Sequence, residues 1–162
     1  MRHSADGFRL LSGVEVCPCL IFKSGSTFFR GLLLWLATNH TFKNPHFFYS
    51  NLRRSGVQVQ DCAPAAVRFT IVRNPYDRLI SFYYNKVITG EMVPHGLSKH
   101  STFKAFALRV ATLPPEPKAS LIADHVEPIT RRYACSRNTT VYHLEDTAKW
   151  LPQLLHLSLI HI

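Results

Sequence analysis

Apolar residues cluster in stretches that predict buried β-strands. Residues 14–22 (VEVCPCLIF) are apolar and β-branched, and residues 66–72 (AVRFTIV) place an apolar side chain at every second position. Runs and alternations of this kind are typical of strands. A shorter candidate strand covers residues 140–144. The pattern therefore predicts three strands spread along the chain.

A helix is predicted after each strand. Residues 28–37 are almost uniformly apolar, as in a buried helix, and Ser24 or Ser26 is the predicted N-cap. Asn74 is predicted to cap the next helix, because Pro75 then lies in its first turn. The predicted helices cover residues 28–37, 76–87, 102–111 and 146–155. The order strand–helix–strand–helix predicts an α/β fold with a parallel sheet.

The remaining segments define the expected domain organisation. Residues 1–13 are predicted to be a flexible leader, residues 14–155 a single domain, and residues 156–162 an apolar tail. Within the domain, residues 39–62 suit a loop with a short helix, and residues 114–117 (PPEP) are predicted to interrupt regular secondary structure.

The most informative feature of the composition is the net charge. Hydrophobic residues make up 46% of the 162 residues, which excludes a disordered or collagen-like chain. Nineteen Lys and Arg face ten Asp and Glu, so the net charge is +9. Such a field favours anionic partners, among them nucleotides, acidic glycans, nucleic acids and anionic membranes.

The cysteines leave two interpretations open. The four cysteines (Cys17, Cys19, Cys62 and Cys135) lack the C-x2-C spacing of a zinc site, so no metal is expected. They are either buried thiols or, in an oxidising compartment, partners in a long-range disulfide. Two glycosylation sequons begin at Asn39 and Asn138. No signal peptide is visible, and the longest apolar run is too short to span a bilayer. The expectation is a cytoplasmic protein if the chain is complete, or otherwise one whose membrane anchor lies outside it.

Lys23 to Thr27 (KSGST) form a small polar turn between the first strand and its helix. A glycine turn at a helix N-terminus offers backbone N–H groups to a phosphate or sulfate, while hydroxyls and a lysine add donors and charge. The G-x-x-x-x-G-K-[ST] pattern of a Walker A loop is absent. Taken alone, the turn is better interpreted as a solvated connection from strand to helix with ordinary capping serines.

Residues 71–84 (IVRNPYDRLISFYY) hold the second group of polar side chains. Arg73 follows a predicted parallel strand, at the edge where ligands bind in open α/β sheets. Its guanidinium and the hydroxyl of Ser81 are suitable donors to a phosphate. Arg78 is interpreted as a surface residue that pairs with Asp77 or a more distant acid.

These two motifs, in this order, resemble those of the sulfotransferases that use 3′-phosphoadenosine 5′-phosphosulfate (PAPS), in particular the Golgi carbohydrate sulfotransferases. A softer similarity covers Asp124-His125, Cys135 and residues 142–145, with Val126 where the family has Trp. The resemblance implies a P-loop-like three-layer fold with a central parallel sheet, PAPS as co-substrate, a carbohydrate or other hydroxyl acceptor, and a membrane-anchored protein of the Golgi lumen. Nucleic acid is not expected as a partner.

The resemblance also implies roles for individual residues. The 5′-phosphosulfate would be held by Lys23, Ser24, Gly25, Ser26 and Thr27, and the 3′-phosphate by Arg73 and Ser81. Lys23 would stabilise the charge that develops on the leaving oxygen. The base that takes the acceptor proton is expected to be His46 first, with His40, His125 and Glu91 as further candidates.

Two alternatives remain at this point. A P-loop-type nucleotide kinase or hydrolase shares the strand–turn–helix unit but requires a Mg²⁺ carboxylate that is not evident. A non-catalytic basic module would bind polyanions through pairs such as Arg53-Arg54 and Arg131-Arg132. The family continues beyond the YHLE region, so we expect part of the cofactor lid to be missing from this chain.

Overall fold

The apolar stretches at residues 14–22 and 66–72 form neighbouring strands of one sheet. The computed structural model describes residues 6–112, 123–126 and 138–159. Within these ranges, five strands pair in the order β3-β1-β2-β4-β5. The strands are β1 (Asp6–Arg9), β2 (Glu15–Cys19), β3 (Val59–Asp61), β4 (Val67–Val72) and β5 (Thr140–His143).

The sheet has a parallel centre and an antiparallel extension. Strands β2, β4 and β5 run parallel, while β1 is antiparallel to both β2 and β3. The α/β prediction is confirmed, but the sheet is mixed rather than wholly parallel. The carboxyl ends of the three parallel strands share one edge, where ligands bind in open α/β sheets.

Two segments without a predicted strand contribute the antiparallel part. Residues 6–9, which were assigned to a flexible leader, form β1, because Phe8 and the following Leu10 are buried in the core. Strand β3 lies within residues 39–62, where only a loop and a short helix were predicted. Both strands are short and lack a long apolar alternation, so their pairing depends on contacts distant in the sequence.

The helices follow the predicted order. The boundaries are α1 (Ser26–Thr38), α2 (Phe48–Arg54), α3 (Pro75–Phe82), α4 (Phe103–Thr112), α5 (Ala123–Val126) and α6 (Thr147–Leu159). A 3₁₀ turn at Pro45–Phe47 precedes α2, and a second at Leu144–Asp146 precedes α6. Helix α6 thus includes residues 156–159, the start of the predicted tail. The predicted break at residues 114–117 lies outside the described residues.

The N-cap prediction for α3 is confirmed in atomic detail. Asn74 Oδ1 accepts a hydrogen bond of 2.9 Å from the backbone N–H of Tyr76, and Pro75 occupies the first turn. The predicted helix over 76–87 changes form partway, since residues Tyr83–Val87 make a π-helical turn. Such turns interrupt α-helices, often at functional sites.

Contacts among the described residues divide the chain into two units, where the sequence pattern predicted one domain over residues 14–155. One unit comprises residues 6–72 and 138–159, and the other comprises residues 73–112 and 123–126. The first has a core of strand and helix side chains, among them Phe8, Val16, Phe29, Leu34, Phe69, Ile71 and Trp150. The second has a smaller core built on Phe82, Tyr83, Val87 and Phe106.

Candidate functional site

The KSGST turn follows β2 and has an unusual backbone. Lys23 has φ 62° and Gly25 has φ 73°, both in the left-handed region. A positive φ is uncommon for a residue other than glycine. At Gly25 a side chain is excluded as well, because a Cβ atom there would lie 3.0 Å from Leu144 Cδ1 and 3.2 Å from the Phe29 ring. Leu144, which follows β5, and Phe29 in α1 thus pack closely on the turn.

Helix α1 begins without a side-chain cap. Its N-cap is Gly25, with φ 73° and ψ 13°, and no side chain accepts a hydrogen bond there. The prediction of Ser24 or Ser26 as N-cap is therefore wrong, because the left-handed turn places Ser26 inside the helix. The first N–H groups of an α-helix have no partner within it. In α1 no side chain caps them, and the helix dipole favours negative charge at this end.

Ser24 adds a second group that lacks a partner. Its side chain is 1% exposed. Among the described residues, Ser24 Oγ is a buried side-chain oxygen for which no hydrogen-bond partner exists. A buried hydroxyl left unpaired costs about 1–3 kcal/mol. The turn therefore combines an uncapped helix N-terminus, a lysine and an unpaired hydroxyl, which together suit a phosphate or sulfate group.

Arg30 lies one helical turn beyond Ser26 and contacts two aromatic rings. Its Cζ atom is 5.5 Å from the centroid of Phe22, the residue immediately before Lys23. Its Nη1 atom lies 3.5 Å from Nδ1 of His46. The predicted base is therefore linked to the KSGST turn through one arginine. The sequence contained a signal for this residue, since Arg30 interrupts an otherwise apolar helix.

The backbone of His46 is fixed by its neighbours. Asn44 Oδ1 accepts a hydrogen bond of 3.1 Å from the His46 N–H and caps the 3₁₀ turn. Asn51 Nδ2 in turn donates to the Asn44 carbonyl oxygen at 3.1 Å. The His46 side chain is exposed. An exposed imidazole on an anchored backbone is a suitable place for proton transfer with a bound molecule.

Tyr49 belongs to the same neighbourhood. Burial raises the pKa of its phenol above 10.0, the charge of Asp6 adds to this rise, and Arg30 and Arg53 oppose it. Its ring packs edge-on against Phe48, with centroids 5.0 Å apart. The phenol is therefore neutral at physiological pH and adds no negative charge beside Arg30.

Arg73 and Ser81 belong to the other unit. Arg73 follows the last residue of β4 and is half-buried. Ser81 lies in α3, and its Oγ accepts a hydrogen bond of 3.3 Å from Asn85 Nδ2, which lies in the π-helical turn. An amide side chain thus contacts Ser81, one of the two predicted phosphate-binding residues.

Arg78 and His125 are buried in that unit. Arg78 is 4% exposed, so its interpretation as a surface residue is wrong. The residue lies in the first turn of α3. His125 is 5% exposed, and its ring centroid lies 5.0 Å from that of Phe82. This packing suits a core residue, and the role of His125 as a base stays a prediction.

The three cysteines that the structure describes form disulfides rather than buried thiols. Cys17 in β2 is bonded to Cys62, with a Cα–Cα distance of 6.0 Å, and Cys19 is disulfide-bonded as well. Cys135 lies outside the described residues. In the described part of the chain, no group of three or more His, Cys, Asp or Glu side chains could hold a metal ion. No helix in those ranges combines the length and apolar character needed to cross a bilayer.

Comparison with known proteins gives one result. A model described as the sulfotransferase family matches residues 14–159, which include both motifs and every predicted site residue. No curated protein and no solved structure matched the chain. The match favours the sulfotransferase interpretation over the kinase and polyanion-binding alternatives.

Proposed function

The chain belongs to the sulfotransferase family, and we propose that it moves a sulfuryl group from PAPS to a hydroxyl group of a carbohydrate. In this reaction the acceptor oxygen forms a bond to sulfur, the bond from sulfur to the phosphate oxygen breaks, and the acceptor loses its proton. The products are the sulfated acceptor and 3′-phosphoadenosine 5′-phosphate.

The observation that carries the proposal is the uncapped N-terminus of α1 beside the hydroxyl of Ser24, which is buried and unpaired within the described part of the chain. The N-terminus of α1 lacks a side-chain cap, and Ser24 Oγ is buried without a partner in the described structure. An anion is the ligand that satisfies such donors and the helix dipole together. Ser24, Gly25, Ser26 and Thr27 would hold the phosphosulfate through their hydroxyls and backbone N–H groups, and Lys23 through its charge.

Lys23 has a second role in the proposal. As the bond to sulfur breaks, negative charge develops on the departing phosphate oxygen. A fixed ammonium group beside that oxygen stabilises the transition state more than the ground state, which is the condition for catalysis. The left-handed backbone at Lys23 supports this role, because strained residues often occur where geometry matters for chemistry.

His46 is proposed as the base that takes the acceptor proton. Its exposed ring is accessible to a substrate from solvent. The ring contacts Arg30, which in turn contacts Phe22, the residue that precedes Lys23. The alternative base, His125, is buried against Phe82. General base catalysis of this kind contributes a factor of about 10²–10⁴ to a rate.

Arg73 and Ser81 are proposed to bind the 3′-phosphate. The assignment rests on their places in the motif IVRNPYDRLISFYY. The hydrogen bond from Asn85 to Ser81 supports it, because it orients the hydroxyl of Ser81 as a donor to another group. The buried Arg78 of the same motif is proposed to support the helix rather than to contact the nucleotide.

A location in the Golgi lumen, with membrane attachment, is proposed on the family resemblance. The disulfide-bonded Cys17, Cys62 and Cys19 support an oxidising compartment. Asn39, which begins a sequon, is exposed at the end of α1 and is open to glycosylation. Expression in secretory cells should give a chain whose mobility changes on glycosidase treatment, and whose Asn39→Gln variant lacks part of that change. An unmodified, reduced chain would contradict the location.

Calorimetric titration with 3′-phosphoadenosine 5′-phosphate tests the cofactor assignment. Lys23→Ala and Arg73→Ala should each weaken binding at least tenfold, which corresponds to about 1.4 kcal/mol. Arg54→Ala is the matched control, because it removes the same charge from an exposed residue outside the proposed site. Equal affinity in all four proteins, or Mg²⁺-dependent binding of ATP in place of this ligand, would contradict the proposal.

A further inference from the structure

Arg30 is a cation to which neither the family motif nor the proposed reaction assigns a role. It projects from the second turn of α1, where its guanidinium lies over the Phe22 ring at 5.5 Å and its Nη1 reaches Nδ1 of His46 at 3.5 Å. A guanidinium on an aromatic face is held in a preferred orientation by the ring's quadrupole. Arg30 is thus oriented by one aromatic side chain and directed at another.

The contact between Arg30 and His46 favours one tautomer of the imidazole. Arginine has only N–H donors and no acceptor. A hydrogen bond between the two side chains therefore requires Nδ1 to accept, and a neutral ring that accepts at Nδ1 carries its hydrogen on Nε2. Asn44 holds the backbone of His46 in the 3₁₀ turn, and Arg30 contacts its ring at Nδ1. In this tautomer Nδ1 has the free electron pair, and Nδ1 is the nitrogen that Arg30 contacts.

We propose that Arg30 is a positioning residue for His46: it fixes the tautomer in which Nδ1 is the basic nitrogen and occupies the place that the acceptor hydroxyl takes. The inference rests on the proposed function, in which His46 is the base. An incoming hydroxyl donates to Nδ1 in place of Arg30. As the oxygen–sulfur bond forms, the proton passes to Nδ1, and the ring becomes an imidazolium with a hydrogen on each nitrogen.

The contact between Arg30 and Phe22 accounts for the next step. Once His46 is positively charged, the two cations repel each other, and the protonated Nδ1 cannot accept from Arg30 until the ring releases its proton. The Phe22 ring still attracts the guanidinium, so Arg30 stays beside the turn. The neutral Tyr49 does not compete for it as an anion would. Proton release from His46 to solvent then restores the starting arrangement.

A double-mutant cycle on transfer rates tests the proposal. Arg30→Met keeps the length of the side chain but removes the donor, and Arg30→Lys keeps a cationic donor. We expect Arg30→Met to lower kcat/KM for the acceptor about tenfold, because the free enzyme then no longer favours the tautomer that the acceptor hydroxyl meets, and Arg30→Lys to recover part of that loss. KM for PAPS should stay unchanged. In a His46→Gln background, Arg30→Met should have no further effect. Independent, multiplying losses would overturn the proposal.

Nitrogen NMR of labelled histidine gives a readout that does not depend on activity. The signals of His46 are assigned by their loss in His46→Gln. At a pH where the ring is neutral, wild type should show Nδ1 as the unprotonated, hydrogen-bonded nitrogen, and the Nδ1 signal should move in Arg30→Met. An unchanged signal would overturn the proposal. No transfer by wild type would instead refute the proposed function, and the NMR signal would still decide whether Arg30 sets the tautomer.

Discussion

Removal of the Ser24 hydroxyl should stabilise the chain and weaken its binding of nucleotide. The hydroxyl is buried at 1% exposure and lacks a partner in the described structure, so the folded chain bears the cost of an unmade hydrogen bond, about 1–3 kcal/mol. Ser24→Ala removes that cost and leaves a void of only one oxygen atom. We expect the free energy of unfolding of the ligand-free variant to rise by about 1 kcal/mol.

The same substitution removes a donor to the proposed phosphosulfate. A hydrogen bond to a charged group contributes about 1.5–3 kcal/mol, so the affinity for 3′-phosphoadenosine 5′-phosphate should fall roughly 10-fold to 100-fold. The opposite signs of the two effects are what identify a binding residue. A purely structural serine would lose stability on substitution, and its removal would change affinity only through that loss.

Urea unfolding followed by tryptophan fluorescence measures the stability, and calorimetry measures the affinity. Thr70→Val is the matched control, because Thr70 is also buried but its Oγ1 donates to the Cys19 carbonyl oxygen at 2.7 Å. That control should lose about 1 kcal/mol of stability and keep its affinity. A Ser24→Ala variant that is less stable than wild type, or binds nucleotide equally well, would refute the reasoning.

Three further predictions concern the fold around the site. Gly25→Ala should lower the free energy of unfolding by at least about 1 kcal/mol, because the φ of 73° and the neighbouring atoms exclude a side chain. Gly31 lies inside a helix with open space around it, so Gly31→Ala should raise the free energy of unfolding by about 0.5–1 kcal/mol. Urea titrations compare the two variants. Because burial raises the pKa of Tyr49 above 10.0, its neutral phenol contributes stability that is complete below that pH and is lost as the pH rises through the raised pKa. Tyr49→Phe should therefore lose less stability than wild type between about pH 9 and pH 11 in chemical denaturation. Replacement of Cys17 and Cys62 by alanine should lower the free energy of unfolding by about 4 kcal/mol, because the disulfide closes a loop of 45 residues and so reduces the entropy of the unfolded chain. A denaturation midpoint equal to that of wild type would contradict this prediction.

The sequence predicted those elements whose signals are local. The apolar runs of β2 and β4 and the apolar helix α1 have periodicities that do not depend on other parts of the chain. The cap at Asn74 is also local, since an Asn-Pro pair that precedes an amphipathic stretch has few other structures available. As predicted, the KSGST turn follows one strand of the parallel pair, β2, and Arg73 follows directly after the other, β4.

The features that the sequence did not predict depend on distant contacts. Strand β1 forms because residues 6–9 pair with β2 on one side and β3 on the other, and neither pairing is visible in four residues. Gly25 rather than a serine is the N-cap because the backbone is left-handed at that residue, which the sequence pattern does not show. Arg78 was assigned to the surface because charged side chains are usually exposed, whereas its motif places it inside a helix-packed unit.

The central claim is that this chain transfers a sulfuryl group and that the KSGST turn holds its donor. It is tested most directly by incubation with radiolabelled PAPS and a panel of glycans and small alcohols, with wild type, Lys23→Ala and the charge-matched Arg54→Ala compared. The account predicts label on at least one hydroxyl acceptor, a loss of at least about tenfold in Lys23→Ala, and full activity in Arg54→Ala. Failure to label any acceptor, or equal labelling by wild type and Lys23→Ala, would contradict it.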